Sequence, residues 1–439
     1  MSFPQVWHRL FLERRPSLSL GLFRLVVAFT VGCHIAPSLL HLEDNYLSTA
    51  FKTKNLSFFP LSILRLVEGS PDGVVWAFVG LFTLSLTTFA LGFFSQLSCI
   101  LMTLACYYFY ALNSYHIGTL SFDILLVTLS LMCATAYPGD FLSIDSLRRG
   151  KPSPHKHKRP FFIQRLLQWQ LVWTFWYTAL HKITAGGNWF TGNPYHALMN
   201  YPSIGVVRNF PLRSWLAHQP NVCYWLGASL IAFEFSIPLL WIIPRTRTVG
   251  ICFGIAFQLM LWGTLHVPTI FLFLFPPMML LFIPPETVVH WIERRQETHA
   301  AEGRAVLVYD GRCELCLESV KRLRALDLFG WIDPLDFHRQ PDLAKLNPLL
   351  TPQRCRSEMI LLESNGRISG GFLAFVRLTR KLPLLWWLVP AVHLPGASFV
   401  GTKAYRWIAT HRHLLHRNPT CEMNHCAVAD RAGNGSSKL

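Results

Sequence analysis

Over roughly its first two thirds the chain repeats one pattern: long apolar runs separated by short polar, basic or aromatic stretches. A helix that crosses a bilayer needs about 20 mostly apolar residues. Residues 20–40, 74–94, 97–111, 120–137, 162–180, 223–243, 249–265 and 267–283 meet or approach that length. The pattern therefore predicts an α-helical polytopic membrane bundle of about eight spans. The first run is too long for a cleavable signal core and has no small-residue cleavage site, so it reads as an anchor.

After residue 296 the texture changes. Ala-Val-Leu-Val-Tyr at 305–309 reads as a buried strand, closed by an Asp310-Gly311 turn. Residues 315–326 have helical spacing, 331–337 fit a second strand, and 359–363 with 367–369 fit a hairpin around Asn365-Gly366. A helix at 372–379 follows, 384–392 is an apolar stretch that packs on the domain or touches the membrane, and 403–410 is a last helix. Strand, helix, strand, hairpin, helix is the order of an α/β thioredoxin-like domain. The expected division is 1–295 for the membrane part, 301–417 for the α/β domain and 418–439 for a polar, disordered tail.

Composition supports a lipid-facing portion. Hydrophobic residues make up 51% and charged residues 15% of the chain, against about 25% charged in soluble proteins. The formal charge is +16, and its position decides its meaning. Arg9, Arg14 and Arg15, the cluster from Arg148 to Arg159, Arg245 with Arg247, and Arg294 with Arg295 all border apolar runs. With eight spans they share one side, the cytoplasmic one by the positive-inside rule, which also places both termini and the C-terminal domain there. No basic face interleaved with stacking aromatics is present, so nucleic acid is set aside as a partner. The 182–221 segment then faces outward, and Trp189, Phe190, Tyr195, Tyr201 and Trp215 suit the headgroup level.

Six of the eleven cysteines sit in apolar runs and read as small hydrophobes. The chemistry concentrates in Asp310-Gly311-Arg312-Cys313-Glu314-Leu315-Cys316. A strand delivers Cys313 to a helix start, where unpaired N–H groups and the helix dipole favour a thiolate, and Cys316 sits one turn on. Cys313 is the expected attacking sulfur and Cys316 the resolving one. Two bland readings stand beside this: a zinc site completed by Cys421, His425 and Cys426, or inert thiols. Cys355 reads as structural. Glu234 is the oddity of the membrane part, a carboxylate inside a span that must face the bundle and hold a partner or a proton. Arg24 and Asp123 are its candidate partners, and Lys182 reads as an interfacial lysine snorkelling to the headgroups.

Asp310, Cys313 and Cys316 reproduce the D-x-x-C-x-x-C signature of the DCC family of thiol-disulfide oxidoreductases, which the chain resembles over most of 305–417. Asn365-Gly366, Gly370-Gly371 and Tyr405-Arg406-Trp407-Ile408-Ala409 look like its other landmarks. The resemblance implies Asp310 as a motif residue that orients the turn or assists proton movement. Over 16–285, the string from Asp140 to Asp145 with Arg148-Arg149, the run from Gln168 to Lys182, Trp189 with Gly192, and Glu234 before Pro238 resemble the HTTM domain, related to the membrane region of the vitamin K-dependent gamma-carboxylase. In the carboxylase a lysine after this helix is the catalytic base. Lys182 matches its position, with His181 beside it, so Lys182, His181 and Glu234 form a candidate membrane-domain site.

The reading that results is a membrane-tethered thiol-disulfide oxidoreductase, of protein-disulfide reductase type because cytoplasmic surroundings keep thiols reduced. Its partners are the bilayer and a thiol or disulfide, in a protein or a small molecule. No cofactor and no metal are assigned. The alternative centres activity in the spans, as carboxylase-like base chemistry on a quinol, with a quinone as partner, or as transport, and makes the C-terminal domain a redox regulator.

Overall fold

Among the described residues the apolar runs of the N-terminal part form helices, α1 (Leu18–Leu39), α2 (Asp72–Leu91), α3 (Ser95–Leu112), α4 (Leu120–Cys133), α5 (Phe162–Thr184), α6 (Pro220–Ile242), α7 (Arg247–Thr264) and α8 (Phe275–Leu280), and the more polar α9 (Pro285–Glu302) follows. The computed structural model describes residues 5, 7–50, 67, 69–113, 120–134, 139–149, 156–184, 189, 193–200, 210–266, 272–340 and 342–411. Two units result, the first ending at Val289 and the second starting at His290 within α9. Cys421, His425, Cys426, the tail from Asn418, Phe190, Gly192, Tyr201 and the side chain of Asp123 lie outside the described residues.

Among the described residues four helices, α1, α2, α3 and α6, are long and apolar enough to cross a membrane, and Ile124–Cys133 is a shorter apolar helix. This is fewer than the eight runs suggest, and polarity accounts for part of the difference. Helix α5 has 23 residues but carries Gln164, Arg165, Gln168 and Gln170 in its first half. Those amides serve the bundle: Gln164 and Gln168 Nε2 each donate to the Leu281 carbonyl at 2.7 Å, and Gln170 Nε2 donates to Ile124 O at 2.8 Å. Away from water such groups must be paired inside the protein. Outward-facing Leu84, Trp173, Trp225 and Phe253 leave an apolar surface of the kind lipid covers.

Two aspartates organise the described part of the connection between α4 and α5. Strands β1 (Arg14–Pro16) and β2 (Lys158–Pro160) pair antiparallel, which sets Arg159 beside Asp140, 2.6 Å from Nε to Oδ2, while Arg149 Nη1 donates to Oδ1 at 2.7 Å. Asp145 caps α3, accepting from the Phe94 and Ser95 amides at 3.0 and 2.8 Å. Burial pushes the Asp140 carboxyl up, but hydrogen bonds and charge from Arg159 and Arg149 outweigh it, and the net result lies below the ordinary carboxylate value. A depressed folded-state pKa contributes stability that is present above the unfolded value of about 4 and lost as pH falls through the folded one. Thermal melting of the full-length protein should therefore drop more steeply below about pH 4 in the natural chain than in Asp140→Asn. Parallel melting curves in acid would contradict this.

The second unit is built on four strands in the order β4-β3-β5-β6: β3 (Ala305–Tyr309), β4 (Ile332–Asp336), β5 (Ile360–Leu362) and β6 (Ile368–Gly370). The parallel β3–β4 pair requires a crossover, which helix α10 (Glu314–Leu326) supplies. Strands β5 and β6 form the expected hairpin, with Gly366 at φ 79° in its turn. Successive strand residues face opposite sides. Leu307 and Leu361 pack with Val320, Ala374 and Leu378 on one side of the sheet. On the other, Val308 and Ile360 pack with Phe337, Leu350 and Cys355. Helices α11 (Pro352–Ser357), α12 (Gly371–Lys381) and α13 (Ala397–Thr410) complete the unit. The second half of α9 belongs to it too: Gln296 Nε2 donates to Leu328 O at 2.9 Å and His299 stacks on Trp331.

Candidate functional site

Where β3 ends, two carboxylates hold the turn that presents the cysteines. Asp310, nearly buried, accepts from the Arg312 amide at 3.0 Å and shares a 2.9 Å hydrogen bond with His338 Nε2. Asp336, closing β4, accepts from the amides of Gly311 and His338 at 3.0 and 3.1 Å. The parallel pairing of Tyr309 with Asp336 is what brings the two turns together. Cys313 follows as the N-cap of α10, and its sulfur accepts the Cys316 amide at 3.3 Å. An acceptor at a helix N-cap satisfies an otherwise unpaired N–H, and negative charge there is favoured by the dipole. Both cysteines are partly accessible and no disulfide joins them.

Glycine at 311 is a packing requirement. A Cβ there would stand 2.1 Å from Asp336 Oδ2. Gly311→Ala must push Asp336 aside and strip two amides of their acceptor, at a cost of about 1–3 kcal/mol. A melting temperature unchanged from the natural full-length protein would show that the carboxylate clamp is not what holds the turn.

Sequence reasoning passed over two neighbours of this turn as site residues. His338 meets Asp310 as described. Tyr405, on α13, accepts the Met359 amide at 3.0 Å through its hydroxyl. Burial pushes that hydroxyl up, the Met359 bond opposes it, and the charges of Cys316, Glu358 and Cys313 add to the rise. Tyr405 therefore keeps its proton near neutral pH and stands within electrostatic reach of both sulfurs. Cys355 is buried, and burial pushes its thiol up, in keeping with a structural role.

In the first unit the structure joins Lys182 and Glu234. The lysine Nζ lies 2.7 Å from each carboxylate oxygen, bridging α5 and α6, and Trp189 stands over it at 5.6 Å. The indole also lies against Gly227 on α6, where a Cβ would stand in ordinary contact with it at 3.4 Å. Lys182, expected to reach toward the headgroups, has its charge met by a carboxylate one helix away. Arg24 does not partner Glu234: its guanidinium donates to the backbone carbonyls of Phe89 and Leu142. His181 is exposed beside Tyr177 and does not join the pair. Among the cysteines read as small hydrophobes, Cys99 and Cys133 bring their sulfurs to 3.5 Å across α3 and α4.

Comparison with known proteins agrees with this geometry. A family model described as DCC1-like thiol-disulfide oxidoreductase matches residues 307–418, and one described as HTTM domain matches residues 13–287. No curated protein and no solved structure matches the chain. Four long apolar helices among the described residues and a cysteine pair at a strand-to-helix turn agree with both matches: the chain belongs to the HTTM family and continues into a DCC1-like thiol-disulfide oxidoreductase domain.

Proposed function

We infer that the protein is a membrane-tethered protein-disulfide reductase whose working groups are Cys313 and Cys316, with Asp310 as the residue that positions their turn. The observation that carries this reading is the Cys313 sulfur accepting the Cys316 amide at the N-terminus of α10. Cys313, as thiolate, attacks one sulfur of a substrate disulfide, forming a mixed disulfide and releasing one substrate thiolate. Cys316 then loses its proton and attacks the Cys313 sulfur, closing the Cys313–Cys316 disulfide and releasing the second substrate thiolate. Two electrons have passed to the substrate, and an external thiol donor restores the pair. Asp310 ties the Arg312 amide and His338 together, so the turn keeps its shape while the sulfurs change partner.

The reductase direction rests on the cytoplasmic side assigned by the basic clusters, and with it stand the eight-span arrangement and both termini in the cytoplasm. Reduction of insulin by dithiothreitol, followed as precipitation of the freed chains, tests the activity. The full-length protein in detergent should shorten the lag in proportion to its concentration. A lag equal to that of dithiothreitol alone would remove the reductase reading.

The Lys182–Glu234 pair favours a second reading, in which the membrane part has an activity of its own, by base chemistry or transport. A charge pair inside a span is costly and is commonly tied to function. The quinone expected as a partner of the membrane part is unsupported.

A further inference from the structure

The region from Ser364 to Cys421 contains eight lysines and arginines and not one aspartate or glutamate. Within it Arg377 and Lys381 are held by Glu363. Arg380, Lys403 and Arg406 pair with no carboxylate among the described residues. The same region carries the most prominent apolar exposure of the second unit: Leu373, Trp386, Leu394, Phe399, Val400 and Trp407 are each more than half exposed.

Helix α13 sorts these groups into two faces. Gly401 and Tyr405 turn inward; a Cβ on Gly401 would meet the Phe372 ring at 2.3 Å, and Tyr405 holds the Met359 amide. Phe399, Val400, Lys403 and Trp407 lie at a spacing that shares the other side. There Lys403 Nζ sits 4.3 Å from the Phe399 ring centre and Trp407 stacks on His411. Aromatic and aliphatic side chains bordered by basic ones that meet no carboxylate among the described residues are the makeup of a helix that lies in the headgroup layer of an anionic membrane. The core of an interface with a soluble protein is ordinarily poor in lysine, and exposed apolar area of this kind is rarely left to water. This chain already contains helices fit to span a membrane and runs from them into this unit through α9.

We propose that the outward face of α13, with Leu394 just before it, docks on the anionic headgroup layer of a lipid bilayer. Such docking fixes the height of the cysteine pair above the bilayer, because the inner face of the same helix reaches the site through Tyr405. Disulfides presented at the membrane surface are then the ones within reach.

The test uses the full-length protein in nanodiscs, with the photo-crosslinker p-benzoylphenylalanine placed at Phe399, at Trp407 or, as a control, at exposed Leu349. Illumination in phosphatidylglycerol nanodiscs should give lipid adducts at 399 and 407 and none at 349, read by peptide mass spectrometry. Adduct yield should fall about fivefold or more in phosphatidylcholine, and likewise in Lys403→Glu/Arg406→Glu, as expected when basic residues near an anionic surface are lost. Crosslinks from 399 and 407 to a second polypeptide or to another part of the chain would overturn the proposal, as would equal adducts at 349, no adducts at all, or yields indifferent to lipid charge.

Discussion

Cys313→Ser in the full-length protein will lower dithiol-disulfide turnover by at least about a hundredfold, since a hydroxyl at this position cannot supply the nucleophile. The fold should survive, because the Cys313 position is an N-cap and serine is among the best residues there. Cys316→Ser gives a different defect. The first attack still occurs but the mixed disulfide on Cys313 has no neighbour to resolve it, so a covalent adduct accumulates that thiol reductants release. Turnover assays with non-reducing gels of the two variants separate these results. Loss of turnover without an adduct in Cys316→Ser would exchange the roles of the two sulfurs.

Lys182→Ala will destabilise the membrane unit by about 3–5 kcal/mol, the cost of leaving a buried carboxylate unpaired. Glu234 and Lys182 are both largely shielded, with side-chain exposures of 8% and 18%. Removing both charges together, as in Lys182→Met/Glu234→Gln, should recover most of the loss, because the penalty comes from the orphaned charge. Melting of the single and double variants in the same detergent reads this out. A double variant as unstable as the single one would mean that the pair holds α5 against α6 by more than charge neutralisation. Insulin reduction should be unaffected by Lys182→Ala at temperatures where the protein is folded, whereas a reading centred in the spans has any membrane activity abolished.

Much of this architecture was legible because the signals are local. A continuous apolar run located β3, helical spacing located α10, and Asn365-Gly366 located the hairpin, each to within about a turn, while Asp310-x-x-Cys313-x-x-Cys316 located the sulfurs. The motif strings also have physical reasons that the fold makes plain. Asp140 gathers Arg149 and Arg159, Asp145 caps α3, and Asp310 ties the turn before Cys313. What was not legible depends on register between distant elements. Glu234 and Lys182 are 52 positions apart, and Arg24 was as good a partner on sequence grounds; only the packing of α5 on α6 chooses. The signal that could have chosen was present: Lys182 lies in the last turn of one largely apolar run and Glu234 inside another, and opposite charges in apolar surroundings tend to meet. His338 and Tyr405 were hidden for the same reason, since the β3–β4 register delivers one and the α13 contact the other.

The central claim is that Cys313 and Cys316 act as one two-electron couple. Full-length protein equilibrated in glutathione buffers of graded potential, quenched in acid and alkylated, reports each sulfur by peptide mass spectrometry. The account predicts that both cysteines lose alkylation together in a single transition, with a slope of about 30 mV per tenfold change in the oxidised-to-reduced ratio. Full alkylation of both at every potential, or zinc bound stoichiometrically to the reduced pair, would contradict it.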